Sequence, residues 1–252
     1  MEVHHHTHHP KKWKEYITEF IMLFTAVTLG FFAENQREHL VERHKEKQFI
    51  QSLYEDLKKD TSLLNTHIIY NNLQINKIDT VNKIIKNAIW NDSTLHLIYR
   101  ANLKTLGNFR LSLNERTSSQ LKNSGSMRLI EDQNISNAIS EYWELIEIAK
   151  NLSTSTEELK LKAREKSYSI FDQLYYEDTS IGIVTDNPKL MTTDSFILKE
   201  YANRLNHIRN SIKNVHLALI VRLNKKASEI LVELKKEYQL NDNTSLEAVF
   251  EH

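Results

Sequence analysis

The sequence has no cysteine, and its 252 residues include only 4 glycines and 2 prolines. Without cysteine, disulfides, zinc–thiolate sites and thiol nucleophiles are excluded. Sandwiches, barrels and doubly wound folds need many tight turns, which are rich in glycine and proline. Their scarcity argues against those folds and predicts an all-α protein, in which long helices are joined by few corners.

The chain also lacks an excess of either charge, because Lys and Arg total 33 and Asp and Glu total 33. A general nucleic-acid-binding protein usually carries a basic excess or a basic stripe. Nucleic acid is therefore not an expected partner. Hydrophobic residues make up 40% of the chain, which is enough for a buried core.

Catalytic motifs are missing as well. The glycines are isolated, so there is no glycine-rich phosphate loop, and neither His-Glu-x-x-His nor Gly-x-Ser-x-Gly occurs. We predict a protein without enzymatic activity and without a cofactor. Four scattered histidines are interpreted as ordinary polar positions: His67, His96, His207 and His216.

One long apolar segment is present near the start of the sequence. No charged residue occurs between Phe20 and Ala33. Extending the segment back to Trp13 gives the length of about 20 residues, or about 30 Å of helix, that a membrane span needs. Trp13, Lys14 and Tyr16 are predicted to anchor it at the lipid headgroups, as an aromatic belt with a basic flank. We therefore predict a transmembrane helix.

Two other interpretations of this segment fit less well. A signal peptide ends in a cleavage site of the small-x-small type, which Phe31-Phe32-Ala33 does not provide. A buried core helix of a soluble protein normally has a polar stripe, and only Thr25 and Thr28 offer one here.

One face of the predicted membrane helix brings together residues that can contact a second helix. Ala26 and Gly30 form a small-xxx-small pair, which allows close helix approach and predicts a homo-oligomer. Glu19 leaves an alternative open, since an ionisable group there can belong to a membrane sensor or to a cation or proton pathway, or can snorkel to the interface. The predicted contact face consists of Glu19, Met22, Ala26, Gly30 and Ala33.

Two segments resemble a known family. Residues 15–61 join a membrane helix containing Gly and Glu to a charged helix that ends in Leu53-x-x-Asp56-Leu57. Residues 116–146 contain a Ser-Gly turn, a Leu-Ile pair and a helix with Tyr142-Trp143, where two tyrosines would be expected. Both are similar to single-pass, N-terminally anchored helical membrane proteins common in Bacteroidota. The resemblance implies a membrane-anchored helical protein and implies no activity.

The predicted organisation has four parts. Residues 1–12 form a His-rich flexible tail, residues 13–33 the transmembrane helix, residues 34–240 the helical domain and residues 241–252 a C-terminal tail. Binding of a transition metal by the first tail is an alternative interpretation, because His tracts bind such metals through neutral imidazoles. The histidines concerned are His4, His5, His6, His8 and His9.

The helical domain is predicted to be an elongated antiparallel bundle with coiled-coil-like long helices. A bend or break in the first helix is expected at Asn71-Asn72, and a left-handed backbone at Gly125. At Ser155 two alternatives stay open, a new helix start or one helix that runs through. Asp132 is a predicted helix cap, and either Thr193 or Asp194 is predicted to cap the last helix. Glu177 to Thr193 is predicted to be the longest loop.

The last helix has the clearest apolar pattern. Its steps alternate between four and three until a pair of four-residue steps from Leu219 through Leu223 to Ala227, which predicts a stutter at that place. The apolar positions are Tyr201, Leu205, Ile208, Ile212, Val215, Leu219, Leu223, Ala227, Ile230 and Leu234. Packing within the bundle is favoured over a coiled coil with a partner.

These features predict a non-enzymatic, membrane-anchored scaffold or interaction protein. Its expected partners are the lipid bilayer, further copies of the chain and a protein that the sequence does not identify. We expect a bacterial inner-membrane protein with one span and a periplasmic helical domain. The basic residues flanking the span are nearly balanced, so this orientation depends on the absence of cysteine and on the short first tail.

Overall fold

The computed structural model describes residues 12–107, 110–178, 182–185 and 187–240. The five histidines at positions 4–9 and the predicted C-terminal tail lie outside the described residues, so metal binding by these histidines stays a prediction. The chain divides into two compact units, Met1–Phe49 and Ile50–His252. The fold is all-α, as the sequence predicts.

The helices and strands follow the chain in a simple order. The α-helices are α1 (Trp13–Asn87), α2 (Asp92–Thr105), α3 (Arg116–Asn123), α4 (Gln133–Ser167), α5 (Ser195–Ser211) and α6 (Leu217–Glu237). Short 3-10 helices occupy Ser126–Leu129 and Gln173–Tyr175, and a π-helical turn, Ile212–His216, joins α5 to α6. The strands are β1 (Tyr176–Asp178) and β2 (Ile183–Val184).

Helix α1 runs without interruption through Asn71-Asn72, so the predicted break is wrong. Isolated asparagines favour caps and turns because their side chains bond to nearby backbone groups. Here Asn72 makes such a bond inside the helix, by donating to the carbonyl of Ile68 at 3.0 Å. Asn71 is buried against the rest of the second unit, and this packing outweighs the weak local preference.

Helix α4 begins as predicted and runs through Ser155, which is one of the two alternatives that the sequence leaves open. The carboxylate of Asp132 accepts bonds from the backbone N–H groups of Asn134 and Ile135 at 2.7 and 3.2 Å. No new helix begins at Ser155, because its hydroxyl donates to the carbonyl four residues earlier at 3.3 Å. Ser153 makes the same kind of bond at 2.9 Å, so these hydroxyls are satisfied within a continuous helix.

Helices α5 and α6 form the last helical run, which begins at the predicted cap Asp194. The irregularity lies earlier than the predicted stutter, at the π-helical turn Ile212–His216. Val215 is 46% exposed, whereas Ile220 is fully buried. Because the π-helical turn contains one extra residue, the buried face of α6 lies one residue later in the sequence than a continuous α-helix would place it.

The direction of the helices follows from the bonds between them. Asp79 of α1 pairs with Arg209 of α5, and Asn65, earlier in α1, bonds to Asn224, later in α6. The run α5–α6 is therefore antiparallel to α1. Helix α4 packs against α5 and α6 in the same antiparallel sense. The second unit is thus a bundle in which α1 and α4 run together and α5–α6 runs against both.

The core of the bundle is aliphatic with an aromatic end. Tyr99 packs edge-to-face on Phe171, which in turn contacts Tyr201. The segment predicted to be the longest loop contains a short antiparallel strand pair next to these rings, in which Tyr176 pairs with Val184. Gly125 has the predicted left-handed backbone, with φ of 65°.

Candidate functional site

The first unit presents an apolar helix surface. From Trp13 to Leu40, the side chains are exposed except that of Glu19, which is half-buried. An 18-residue window of this helix is apolar enough to cross a membrane by length and composition, and none of it is buried. The hydroxyl of Thr28 donates to the carbonyl of Phe24 at 2.7 Å, so this polar group is satisfied by the helix itself.

The predicted contact face lies on one side of α1. Its members follow one another at steps of three or four residues, which is the spacing of a single helix face. An added Cβ on Gly30 would meet nothing within 4 Å, so the helix surface is open at this position. The three predicted interface anchors, Trp13, Lys14 and Tyr16, are exposed on the first turn and the start of the second.

The second unit contains a polar cleft of about 730 Å³, which lies between α1, residues 110–111, α4 and the π-helical turn. This volume falls in the range of small-molecule sites. We use "polar cleft" for this space throughout. Its lining is mostly polar or basic: Tyr70, Asn71, Arg110, Leu111, Lys150, Ser153, Thr154, Thr156, Glu157, Lys160, Ile212 and His216.

Lys160 of α4 is the buried cation of the cleft, with a side chain that is only 7% exposed. Its ammonium donates to the carbonyl of Gly107 at 3.0 Å and to the carboxylate of Glu157 at 3.2 Å. Burial lowers the pKa of Lys160, and the charge of Arg164 lowers it further, although Glu157 opposes both. The buried charge is thus only partly compensated.

His216 enters the cleft because it is the last residue of the π-helical turn. Its Nε2 lies 3.0 Å from the hydroxyl oxygen of Ser153, whose proton is donated to Ala149. Nε2 must therefore carry the proton in this contact, and Nδ1 is left as the lone-pair nitrogen. Burial lowers the pKa of His216, the charge of Lys160 lowers it further, and Glu157 opposes them.

Two more buried polar side chains of α1 concern the cleft: Asn71 lines it, and His67 lies outside the lining but close enough to His216 for the two rings to interact electrostatically. His67 is 1% exposed, and its pKa is lowered to about 4, chiefly by burial, so the ring is neutral at physiological pH. Asn71, one turn later, is 5% exposed. Within the described residues, its Nδ2 has no hydrogen-bond partner, and neither has Nδ1 of His216.

A second buried polar group lies elsewhere in the same unit, and we name it the Asp60 cluster: Asp60, Asn114 and Tyr142. The carboxylate of Asp60 accepts bonds from the backbone N–H and the side-chain amide of Asn114, both at 2.8 Å. It also accepts a bond from the hydroxyl of Tyr142 at 2.9 Å. This cluster joins α1 to residue 114 and to α4.

Comparisons with protein-family models, with curated proteins and with solved structures find no match to this chain. Among the described residues, no group of three or more His, Asp or Glu side chains is arranged to hold a metal ion.

The sequence interpretation missed the polar cleft. His67 and His216 are interpreted there as ordinary polar positions, but the fold buries the first and brings the second to Lys160. One signal was present, because the extra residue in the apolar pattern of the last helix marks a local irregularity. Such π-helical turns occur frequently at functional sites.

Proposed function

We propose that this protein is a non-enzymatic scaffold or interaction protein, anchored in a membrane by residues 13–33 of α1. The observation that carries the proposal is an 18-residue apolar helix window in which no residue is buried. Leu23, Phe24 and Val27 each expose 62–70% of their surface. Contiguous apolar surface of this extent is unfavourable in water, and a lipid bilayer removes it from water.

The exposure of this helix distinguishes it from a core helix of similar composition. Residues 50–85 of the same helix also carry an apolar pattern, but there Ile50, Leu57 and Leu64 are buried. Aromatic and basic residues at the start of the window add the flank that membrane helices commonly have. The resemblance to single-pass proteins of Bacteroidota supports the same assignment.

The finer parts of the proposal concern location and assembly. We propose a bacterial inner-membrane protein with one span, a periplasmic helical domain and self-association through the Ala26–Gly30 face. We favour a scaffold over an ion pathway because Glu19 lies one turn from Tyr16, where its side chain can reach the headgroups. One ionisable group near a helix end is weak support for transport.

Membrane anchoring is tested by placing two lysines in the window, Leu23→Lys with Val27→Lys. Each lysine near the centre of a span opposes insertion by about 3 kcal/mol. We expect the wild-type chain to remain in the membrane pellet after carbonate extraction and the double variant to move to the supernatant.

The chain offers a matched control, Ile69→Lys with Val232→Lys. Ile69 matches Val27, since each is 70% exposed. Val232 matches Leu23, since each is 69% exposed. The control adds the same charges outside the window and should stay in the pellet. Wild-type chain in the carbonate supernatant would overturn the proposal.

Self-association is tested separately with Gly30→Ile, which places a branched side chain on the predicted contact face. We expect crosslinked oligomers in membranes to decrease several-fold, because close helix approach is blocked. The control Leu29→Ile lies about 100° around the helix and keeps the side-chain volume. Crosslinking that is equal in both variants would place the contact outside this face.

A further inference from the structure

We propose that the polar cleft binds a small organic anion through a carboxylate group, with Lys160 and Arg110 as its cationic contacts, and that binding places a proton on Nδ1 of His216. The site belongs to the second unit alone, so the proposal does not depend on membrane anchoring.

The first argument is the unused donor capacity of Lys160. An ammonium has three N–H donors. Within the described residues, Lys160 has two acceptors, the carbonyl of Gly107 and the carboxylate of Glu157. A buried ammonium is stabilised by an additional anionic acceptor, because charge-assisted hydrogen bonds are stronger where water is excluded.

The second argument is the charge balance of the lining. Lys150 is already paired with Glu115 at 2.5 Å and with Glu147 at 3.0 Å. Of the described residues that line the cleft, Glu157 is the only one with a carboxylate, and it is paired with Lys160. The charge of Arg110 remains in excess, so the cleft favours an anion over a cation.

The third argument is the pair of unsatisfied polar atoms in the walls, Nδ2 of Asn71 and Nδ1 of His216, for which the described residues provide no partner. Buried polar groups without partners are destabilising by about 1–3 kcal/mol each. A carboxylate can accept bonds from the amide of Asn71 and from a protonated His216. Leu111 and Ile212 add apolar walls, which favour an organic anion over a bare inorganic one.

The fourth argument is the coupling of binding to a proton. In the ligand-free cleft, burial and the charge of Lys160 favour the neutral form of His216 by lowering its pKa, although Glu157 opposes them. An anion beside the ring reverses the local field and raises this pKa, so a proton is taken up on binding. Affinity therefore increases as pH falls. The titratable or charged groups around His216 are Lys150, Glu157 and Lys160 on α4, His67 and Tyr70 on α1, and Arg110.

The experiment is calorimetric titration of the full chain with benzoate, whose charge is constant between pH 6 and pH 8, in lipid nanodiscs if the chain is membrane-bound and in buffer if it is not. Sulfate serves as the bare inorganic anion and benzylammonium as the cation of similar shape. We expect saturable binding of benzoate, tighter at pH 6 than at pH 8 and at most tenfold per pH unit for one coupled proton. Sulfate should bind more weakly, and benzylammonium should not bind.

Two variants assign the binding to the cleft. Lys160→Met should weaken benzoate binding at least tenfold, whereas Lys226→Met removes a cation paired with Glu141 outside the cleft and should leave binding unchanged. His216→Gln keeps a donor toward Ser153 and should abolish the pH dependence. This variant keeps the test decisive if Lys160→Met does not fold.

Several results would overturn the proposal: no saturable benzoate binding at pH 6, equal binding in Lys160→Met and Lys226→Met, or equal affinity at pH 6 and pH 8. Tighter binding of sulfate or benzylammonium than of benzoate would overturn the assignment of the ligand as an organic carboxylate.

Discussion

The Asp60 cluster and the polar cleft are both buried polar groups between α1 and α4, and they differ in how well they are satisfied. The carboxylate of Asp60 accepts three bonds at 2.8–2.9 Å. In the cleft, the amide of Asn71 and Nδ1 of His216 have no partner among the described residues. A satisfied polar group fixes structure, whereas an unsatisfied one is available to a ligand. Replacing a buried polar side chain with leucine should therefore lower stability in the Asp60 cluster but not in the polar cleft.

The largest effect is expected for Asp60→Leu. The substitution leaves the backbone N–H and the amide of Asn114 and the hydroxyl of Tyr142 buried without their acceptor. We expect a loss of about 3–5 kcal/mol in the free energy of unfolding of the second unit, as for removal of one partner from a buried charged network. Urea unfolding in detergent micelles, followed by the fluorescence of the buried Trp143, measures this loss.

The control is Asp60→Asn, which keeps the shape of the side chain and an acceptor oxygen. Its free energy of unfolding should therefore fall much less than that of Asp60→Leu.

Burial raises the pKa of Asp60 above its ordinary value of 3.8, despite the bonds from Asn114 and Tyr142 that lower it. The folded state therefore favours the protonated carboxyl. Its contribution to stability is present below pH 3.8 and is lost as pH rises through the raised pKa. Asp60→Asn should remove this pH dependence, and an unchanged profile would contradict the assignment.

An intermediate effect is expected for Tyr142→Phe. The ring and its packing remain, but the carboxylate of Asp60 loses one of its three donors. We expect a loss of about 1–2 kcal/mol in the same unfolding measurement, which is typical of a single bond to a buried charged group. In the Asp60→Leu background the same change should have little further effect, because the hydroxyl no longer has an acceptor. Additive losses would show that the two groups act independently.

The smallest effect is expected for Asn71→Leu in the polar cleft. Leucine has a similar volume, and the change removes a buried donor that bonds to nothing in the described structure. We expect the ligand-free protein to keep its stability within about 1 kcal/mol or to gain slightly, because no hydrogen bond is broken. A loss as large as that of Asp60→Leu would mean that the cleft, like the Asp60 cluster, is a structural network.

Local chemistry made part of this fold predictable from the sequence. Asp132 and Asp194 cap helices, and Gly125 has a left-handed backbone, because each of these roles depends on a few neighbouring residues. No break occurs at Asn71-Asn72, and of the two alternatives at Ser155 the continuous helix is observed. In both places tertiary packing and bonds to the preceding helical turn overcome a weak local preference.

The polar cleft was not predictable in the same way. Arg110, Lys160 and His216 are about fifty residues apart in sequence, and no short motif connects them. Their meeting depends on the packing of three helical segments and on the position of the π-helical turn. The apolar pattern of the last helix contained one residue too many, but the spacing alone did not locate it at residues 212–216.

The π-helical turn places His216 in the cleft, whereas the pairing of the helices in the bundle does not depend on it. The buried positions of α5 are 198, 201, 205 and 208, that of the turn is 212, and those of α6 are 220, 223, 227, 230 and 234. Subtracting one residue from the α6 positions gives 219, 222, 226, 229 and 233, so that 212 and 219 lie seven residues, or about two helical turns, apart on one face. A chain one residue shorter in this turn could thus keep the same helix pairing with an unbroken α-helix. Gain or loss of a single codon would then add or remove His216 from the cleft while the fold persists.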